Sequence, residues 1–240
     1  MKTFIVIPTY NESDTLPELL EALLGLGIDL EVLVVDDHSP DGTAELVKRR
    51  MSQDPRIHLI ERPKKMGLGS AYLAGFRAAL DKGADVIFEM DGDFSHHPKY
   101  VPVMLEKLKE ADLVIGSRYV KGVSVVDWPM GRLLLSYCAN RWVKWMTAVP
   151  VRDMTSGFKA FRRQALLSLD FSRIRSDGYS FQIEVNFYLY RKHLHLAELP
   201  IIFTDRDIGV SKMTWAIILE AVITVWRLFL ERLFQISRKT

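Results

Sequence analysis

Two aspartates, Asp91 and Asp93, stand either side of Gly92 in FEMDGDFSHHP, directly after the apolar run ADVIFEM. At the end of a buried strand an unpaired carboxylate costs several kcal/mol unless a cation or several donors satisfy it. Two of them on the same side of an extended chain offer hard oxygen ligands, the kind that hold Mg2+ or Mn2+ while the ion takes up phosphate oxygens. On its own, so short a motif reads more simply as loop carboxylates capping the helix that starts near Pro98. It is not on its own. Pro8, Tyr10, Glu12, Asp36, Asp37, Ser117 and Arg118 also fall at or just after apolar runs, and carboxylates gathered at one rim repel unless a divalent cation with a polyphosphate neutralises them. Neighbouring features carry less. Adjacent His96 and His97 point in different directions and make a poor ligand pair. Gly67 and Gly69 in KKMGLGS lack a Walker pattern and read as a helix-entry turn beside a diphosphate. Arg118 in GSRY fits a surface ion pair as well as it fits a phosphate ligand.

The elements that must position these residues alternate along the chain. TFIVIP is followed by SDTLPELLEALLGLG, which has a serine or aspartate N-cap, helically spaced leucines and a terminal glycine. EVLVVDD, IHLIERP, ADVIFEMD and DLVIGSRY repeat the apolar strand pattern, with AELVKRRMSQ, GSAYLAGFRAALDKG and KYVPVMLEKLKEA as helices between them. Continuous apolar strands separated by helices imply an α/β fold, with a mostly parallel sheet covered on both faces. Ligands of such sheets sit beyond the carboxyl ends of the strands. With 240 residues, 48% hydrophobic and 26% charged, the chain is long enough for a sizeable core. Its 32 basic and 30 acidic residues are too balanced for a protein that wraps nucleic acid. A single cysteine, Cys138, excludes an intrachain disulfide. The apolar stretch before Pro8 is shorter than the core of a signal peptide, so the expected location is cytosolic.

Two segments are amphipathic in an unusual way. On a helix over 131–149, Leu134, Leu135, Cys138, Ala139, Trp142, Trp145, Met146 and Val149 share one face, and Arg132, Ser136, Asn140, Lys144 and Thr147 share the other. That is the composition of a helix lying in a membrane interface, although packing on the protein's own core has the same periodicity. Arg132 and Ser136, one turn apart, are placed to offer donors to a lipid phosphate. In KMTWAIILEAVITVWRLFLERLFQ, the residues Glu220, Thr224, Arg227, Glu231 and Gln235 form one narrow polar stripe in an otherwise apolar helix. Glu220 and Arg227 make it a poor bilayer span. It is expected to lie on the membrane or against a small membrane-anchoring partner, so that residues 1–212 form the catalytic domain and 213–240 an interface helix.

Seven motifs in order over residues 4–212, IPTYNE, VVDDHSPDGT, GLGSAYLAGF, DGDFSHHPK, GSRYVKG, TSGFKAF and DRDIGVSK, resemble the family 2 glycosyltransferases of GT-A (Rossmann-like) fold, and closely the dolichol-phosphate mannose synthases. The resemblance implies inverting transfer of mannose from GDP-mannose to dolichyl or polyprenyl phosphate, at the cytoplasmic face of a membrane. By it, Pro8, Tyr10, Glu12, Val35 and Asp37 hold the guanosine, and Asp91 and Asp93 bind the metal and diphosphate, with the Gly92 backbone close by. Arg118, Arg132, Arg206 and Lys212 engage phosphates of donor or acceptor. Arg206 and Lys212 reach them only if the loop around Gly209 folds over the site as a lid. A UDP-sugar donor, as in a polyprenyl-phosphate glucosyltransferase, keeps the same fold and acceptor. A non-catalytic nucleotide-sugar-binding scaffold is the alternative of another class, and the intact D-x-D speaks against it.

Overall fold

The computed structural model describes residues 1–126, 128–204 and 215–236. β1 (Thr3–Thr9), β2 (Leu30–Asp36), β3 (Ile57–Glu61) and β4 (Val86–Glu89) alternate with α1 (Leu16–Leu24), α2 (Thr43–Met51) and α3 (Leu68–Asp81). Next come α4 (Tyr100–Lys107), β5 (Leu113–Ser117), a short β6 (Val125–Val126) and α5 (Met130–Thr147). The chain continues through β7 (Lys159–Arg162), α6 (Arg163–Ser168), α7 (Gly178–Arg191), β8 (Leu196–Pro200), β9 (Phe203–Thr204) and α8 (Trp215–Ile236). The main sheet has the order β3-β2-β1-β4-β7-β5-β8. Only β7 runs against its neighbours, and the other pairs are parallel. The fold is therefore the mostly parallel α/β arrangement that the strand and helix alternation implies.

Parallel strands need helical crossovers, and the crossovers cover both faces of the sheet. β1 shows the result, since all its residues are buried. Phe4 and Val6 join a layer with Phe76, Phe161 and Phe181, while Ile5 and Ile7 join Leu16, Leu20, Phe88 and Phe158 on the other side. Each such fully buried side chain contributes about 1.5–3 kcal/mol. In α1 the leucines at 16, 19, 20 and 23 fall on one face and are all buried. Its start differs from the sequence expectation. The cap position is Thr15, not Ser13 or Asp14, and it makes no side-chain cap bond. The Thr15 hydroxyl instead donates to the carbonyl of Gly92 at 2.9 Å, tying α1 to the D-x-D loop.

The polar stripe of α8 faces the protein. Glu220 Oε1 accepts from the Asp177 amide at 2.9 Å, Thr224 meets Ser176 Oγ at 3.1 Å, Arg227 pairs with buried Glu184, and Glu231 pairs with Arg173 at 2.9 Å. The side chain of Gln235 lies outside the described residues. Trp215, Leu219, Ile223, Trp226, Leu230 and Phe234 point outward and are exposed. α5 has the same inversion. Asn140 and Thr147 are buried, whereas Leu134, Leu135 and Trp145 are exposed; Met146 and Val149, assigned by periodicity to the apolar face, are buried as well. The two helices touch, with Arg232 donating to the carbonyls of Met146 at 3.0 Å and Trp145 at 3.4 Å. A surface helix of a water-soluble domain turns its apolar stripe inward; α5 and α8 turn much of theirs out. No helix among the described residues is long and apolar enough to cross a membrane.

Candidate active site

The sheet order places the carboxyl ends of β2, β1 and β4 side by side, and the residues that follow those ends converge. Thr9 and Asp36 are partners in the ladder, and the Asp36 carboxylate accepts from Thr9 Oγ1 at 2.9 Å and from the Ser39 amide at 2.8 Å. Ser39 Oγ in turn accepts from the amide of Asn11 at 3.0 Å, where the chain turns through a positive φ of 62°. These bonds shape the loop that carries Tyr10 and Glu12. Glu12 is buried, its amide donating to Thr43 Oγ1 at 3.2 Å. Tyr10 lies at the rim under the ammonium of Lys65, 4.0 Å from the ring centroid. Asp37 is buried against Arg62 and accepts from the amides of Met66 at 2.9 Å and Gly67 at 3.3 Å. It thereby pins the helix-entry turn before α3. Pro8 and Val35 lie within the strands and are buried; the Val35 side chain packs toward Gly75, where an added Cβ would lie 3.2 Å away.

The D-x-D carboxylates are held differently. Asp91 Oδ1 accepts from Tyr72 OH at 3.0 Å, and burial pushes the Tyr72 phenol well above its usual pKa. A Cβ at position 157 would come within 3.1 Å of Asp91 Oδ2, so the glycine of TSGFKAF keeps that side of the carboxylate clear. Asp93 Oδ1 accepts from the amide and hydroxyl of Ser95 at 3.0 and 2.5 Å. At Gly92 a Cβ would meet Ile7 at 3.3 Å and Glu12 and Thr9 at 3.5 Å, which seats the loop against the β1 rim. His96 is buried behind it, 3.7 Å from Asp91 Oδ2, with burial lowering its pKa to about 4. Beneath the loop, Lys159 and Glu89, ladder partners on β7 and β4, form a fully buried ion pair at 3.0 Å. Two carboxylates in a chain otherwise set with hydroxyl and amide donors suit a hard divalent ion that keeps some waters and takes phosphate oxygens, because such an ion needs only one or two protein carboxylates.

Arg118 sits one step away and is buried. It grips Asp153 through Nε at 2.7 Å and Nη2 at 2.6 Å, and Nη2 also reaches Thr155 Oγ1 at 2.9 Å. Its guanidinium and that of Arg132 flank one indole, with Cζ at 5.5 and 4.1 Å from the Trp128 ring. Ser136 Oγ accepts from Tyr119 OH at 2.7 Å. Asn140 accepts from the Met154 amide at 2.7 Å, so the inward face of α5 is stitched to the loop that carries Asp153. The structure thus gathers Arg118, Arg132 and Ser136 around Trp128 and Tyr119. Arg206, Lys212 and the loop around Gly209 lie outside the described residues. Asp153, Tyr72 and Trp128 were not singled out by sequence reasoning; the TSGFKAF motif is the local signal that marks the first of these regions.

Comparison with known proteins bears on this geometry. The model of the family described as glycosyl transferase family 2 matches residues 4–169. An undecaprenyl-phosphate mannosyltransferase of Micrococcus luteus is 43% identical over 227 residues, covering 95% of this chain and 93% of that protein. A polyprenol monophosphomannose synthase of Mycolicibacterium smegmatis is 42% identical over 226 residues, covering 93% and 85%. Among solved structures, glucosyl-3-phosphoglycerate synthase from Mycobacterium tuberculosis, in complex with Mn2+, uridine diphosphate and phosphoglyceric acid, superimposes with a TM-score of 0.71 at 18% identity, covering 95% of this chain and 78% of that one. The similarity to this last protein is one of fold.

Proposed function

Because this chain belongs to glycosyl transferase family 2 and is a glycosyltransferase, we propose that it transfers mannose from GDP-mannose to the phosphate of a polyprenyl, dolichyl-type lipid, with inversion at the sugar carbon. The observation that carries this reading is the joint placement of Asp91 and Asp93 at the β4 end, against the Glu12 loop, in the same sheet whose β5 end leads to Arg118, which shares the Trp128 indole with Arg132 of α5. The two mannosyltransferase relatives supply the sugar and the class of acceptor.

In this reading Asp91 and Asp93 hold a Mg2+ or Mn2+ ion with the donor diphosphate. Bound there, the ion supplies positive charge against the charge that gathers on the departing nucleoside diphosphate. Tyr10, Glu12 and the turn pinned by Asp37 border the nucleoside, with Pro8 and Val35 forming the strand ends beneath it. Arg206 and Lys212, outside the described residues, are assigned to the phosphates by the family resemblance alone. The acceptor is its own nucleophile: a phosphate monoester has a second pKa near 6 and is largely ionised at neutral pH, so no strong protein base is required. Its oxygen attacks the anomeric carbon as the bond to GDP breaks, and the electron pair leaves with the diphosphate. Arg132 and Ser136 receive the lipid phosphate on the side of α5, with Arg118 between donor and acceptor. The outward apolar faces of α5 and α8 rest on the lipid surface at the cytoplasmic side, so that the phosphate arrives at the rim while its tail stays in the bilayer. A small membrane-anchoring subunit is a further occupant that such a face accommodates.

The test is nucleotide release. Purified protein with Mg2+ or Mn2+ should liberate GDP from GDP-mannose in proportion to added polyprenyl phosphate, and should leave UDP-glucose intact. Release of UDP alone would replace the donor by a UDP-sugar, and release of neither would favour a non-catalytic scaffold.

A further inference from the structure

His96 has no part in the reading above, and its surroundings are unusual. The residue is 2% exposed, with the ring stacked on Phe158 at 5.1 Å and met edge-on by Phe203 at 5.3 Å between centroids. Nδ1 is buried without a hydrogen-bond partner, and the nearest carboxylate oxygen it faces is Asp91 Oδ2, at 3.7 Å. A polar atom buried in this way costs about 1–3 kcal/mol. Phenylalanine would fill the same aromatic sandwich without that cost, so the imidazole nitrogen itself needs an explanation. The 3.7 Å gap is too long for a hydrogen bond, whose N···O distance is about 2.7–3.2 Å, and a modest rotation of the Asp91 carboxylate closes it. Tyr72 already donates to the other oxygen of the same carboxylate at 3.0 Å, and Gly157 leaves room beside Oδ2.

We propose that His96 is a positioning residue for Asp91: in the loaded site its Nδ1–H donates to Asp91 Oδ2 and, together with Tyr72 on Oδ1, fixes the carboxylate in the orientation that binds the divalent ion. This rests on the reading of Asp91 as a metal ligand. Hydrogen-bond partners of metal ligands typically set affinity by 10–100-fold. His96 touches neither substrate nor ion; it acts through the rotation of Asp91. Its other neighbour, Phe203, belongs to β9, the last described element before the segment that carries Arg206 and Lys212.

The experiment is a titration of Mn2+ into the full-length chain with saturating GDP, and separately UDP, following free Mn2+ by electron paramagnetic resonance. His96→Phe keeps the stacked ring and removes the donor; His96→Asn keeps an N–H near the same place. The expected result is that His96→Phe binds Mn2+ at least tenfold more weakly with a Tm no lower than the parent's, and that His96→Asn recovers most of the loss. Asp91→Ala is titrated alongside. If it binds Mn2+ like the parent, the metal reading of Asp91 fails and the proposal falls with it. If Asp91→Ala loses Mn2+ while folded His96→Phe stays within twofold of the parent, the metal reading stands and the His96 role is overturned. Should His96→Phe not fold, His96→Leu, which also removes the donor, decides: a tenfold loss of Mn2+ affinity in the folded variant supports the role, and affinity within twofold of the parent contradicts it.

Discussion

Asp91 and Asp93 are each oriented by a neighbour's hydroxyl, Tyr72 and Ser95 respectively, which is how a chain prepares carboxylates for a ligand it does not itself supply. Asp91→Ala or Asp93→Ala should abolish turnover while the fold stays intact. Removing one charge from a crowded acidic rim should leave metal-free Tm unchanged or slightly raised. A chelator should reproduce the loss in the parent protein, and near-normal turnover of either variant at saturating Mg2+ and Mn2+ would contradict the assignment. Arg132→Ala should raise the acceptor KM or lower kcat about tenfold, because a charge-assisted contact to phosphate contributes about 1.5–3 kcal/mol, and GDP affinity should barely move. A collapse of GDP affinity with normal lipid kinetics would place Arg132 at the donor instead. Asp153→Ala should cost about 3–5 kcal/mol in denaturant unfolding, since it strands the buried Arg118 charge; a loss below about 1 kcal/mol would mean that the pair is solvated in solution. The paired aspartates are legible in the sequence because their spacing and the preceding apolar run are local. Asp153 is not: the TSGFKAF motif marks its neighbourhood, but the pairing with Arg118 spans 35 residues, which no local pattern reports.

Helices α5 and α8 are legible as amphipathic helices, and the narrowness of the α8 polar stripe already suggests a large apolar face. Periodicity alone gives no direction, however, and the structure turns the stripe of α8 toward α7, against Glu184 and Asp177. α7 is the element least visible in the sequence. Every residue from Ser180 to Leu189 is buried, including Gln182, Glu184 and Asn186, so its polar positions interrupt the pattern that would mark a buried helix. The inversion separates two kinds of change in α8. Leu219→Ser and Ile223→Ser, both mostly exposed, remove outward apolar area and should each change unfolding free energy by no more than about 0.5 kcal/mol, while the double variant should sharply reduce co-sedimentation with lipid vesicles. Undiminished vesicle binding by the double variant would rule out this face as the membrane contact. Glu184→Ala, in contrast, removes the acceptor of the Arg175 and Ser176 amides at 3.0 and 2.8 Å and the partner of Arg227, and should destabilise the protein by several kcal/mol.

Across the whole molecule, α8 and the carboxyl-end rim of the sheet are joined by short bonds. Glu220 on α8 holds the Asp177 amide at 2.9 Å, Asp177 Oδ1 holds the amide of Gly69 at 2.5 Å, and the turn before α3 is held in turn by Asp37. The outward apolar face of α8, the turn before α3 and the rim of the sheet therefore belong to one packed body, and the parallel sheet supplies its rigid floor. That overall design is legible from alternating strands and helices, whereas the antiparallel β7 is not, because its four residues carry no signal of direction. The central claim is tested most directly by supplying vesicles containing polyprenyl phosphate with GDP-mannose labelled in the sugar, and measuring label in the lipid phase beside GDP in the aqueous phase, for the parent protein and Asp91→Ala. The expected result is lipid-linked mannose from the parent with one GDP released per mannose, and neither product from Asp91→Ala. Absence of lipid-linked mannose from the folded, vesicle-bound parent, or equal product from Asp91→Ala, would contradict the claim.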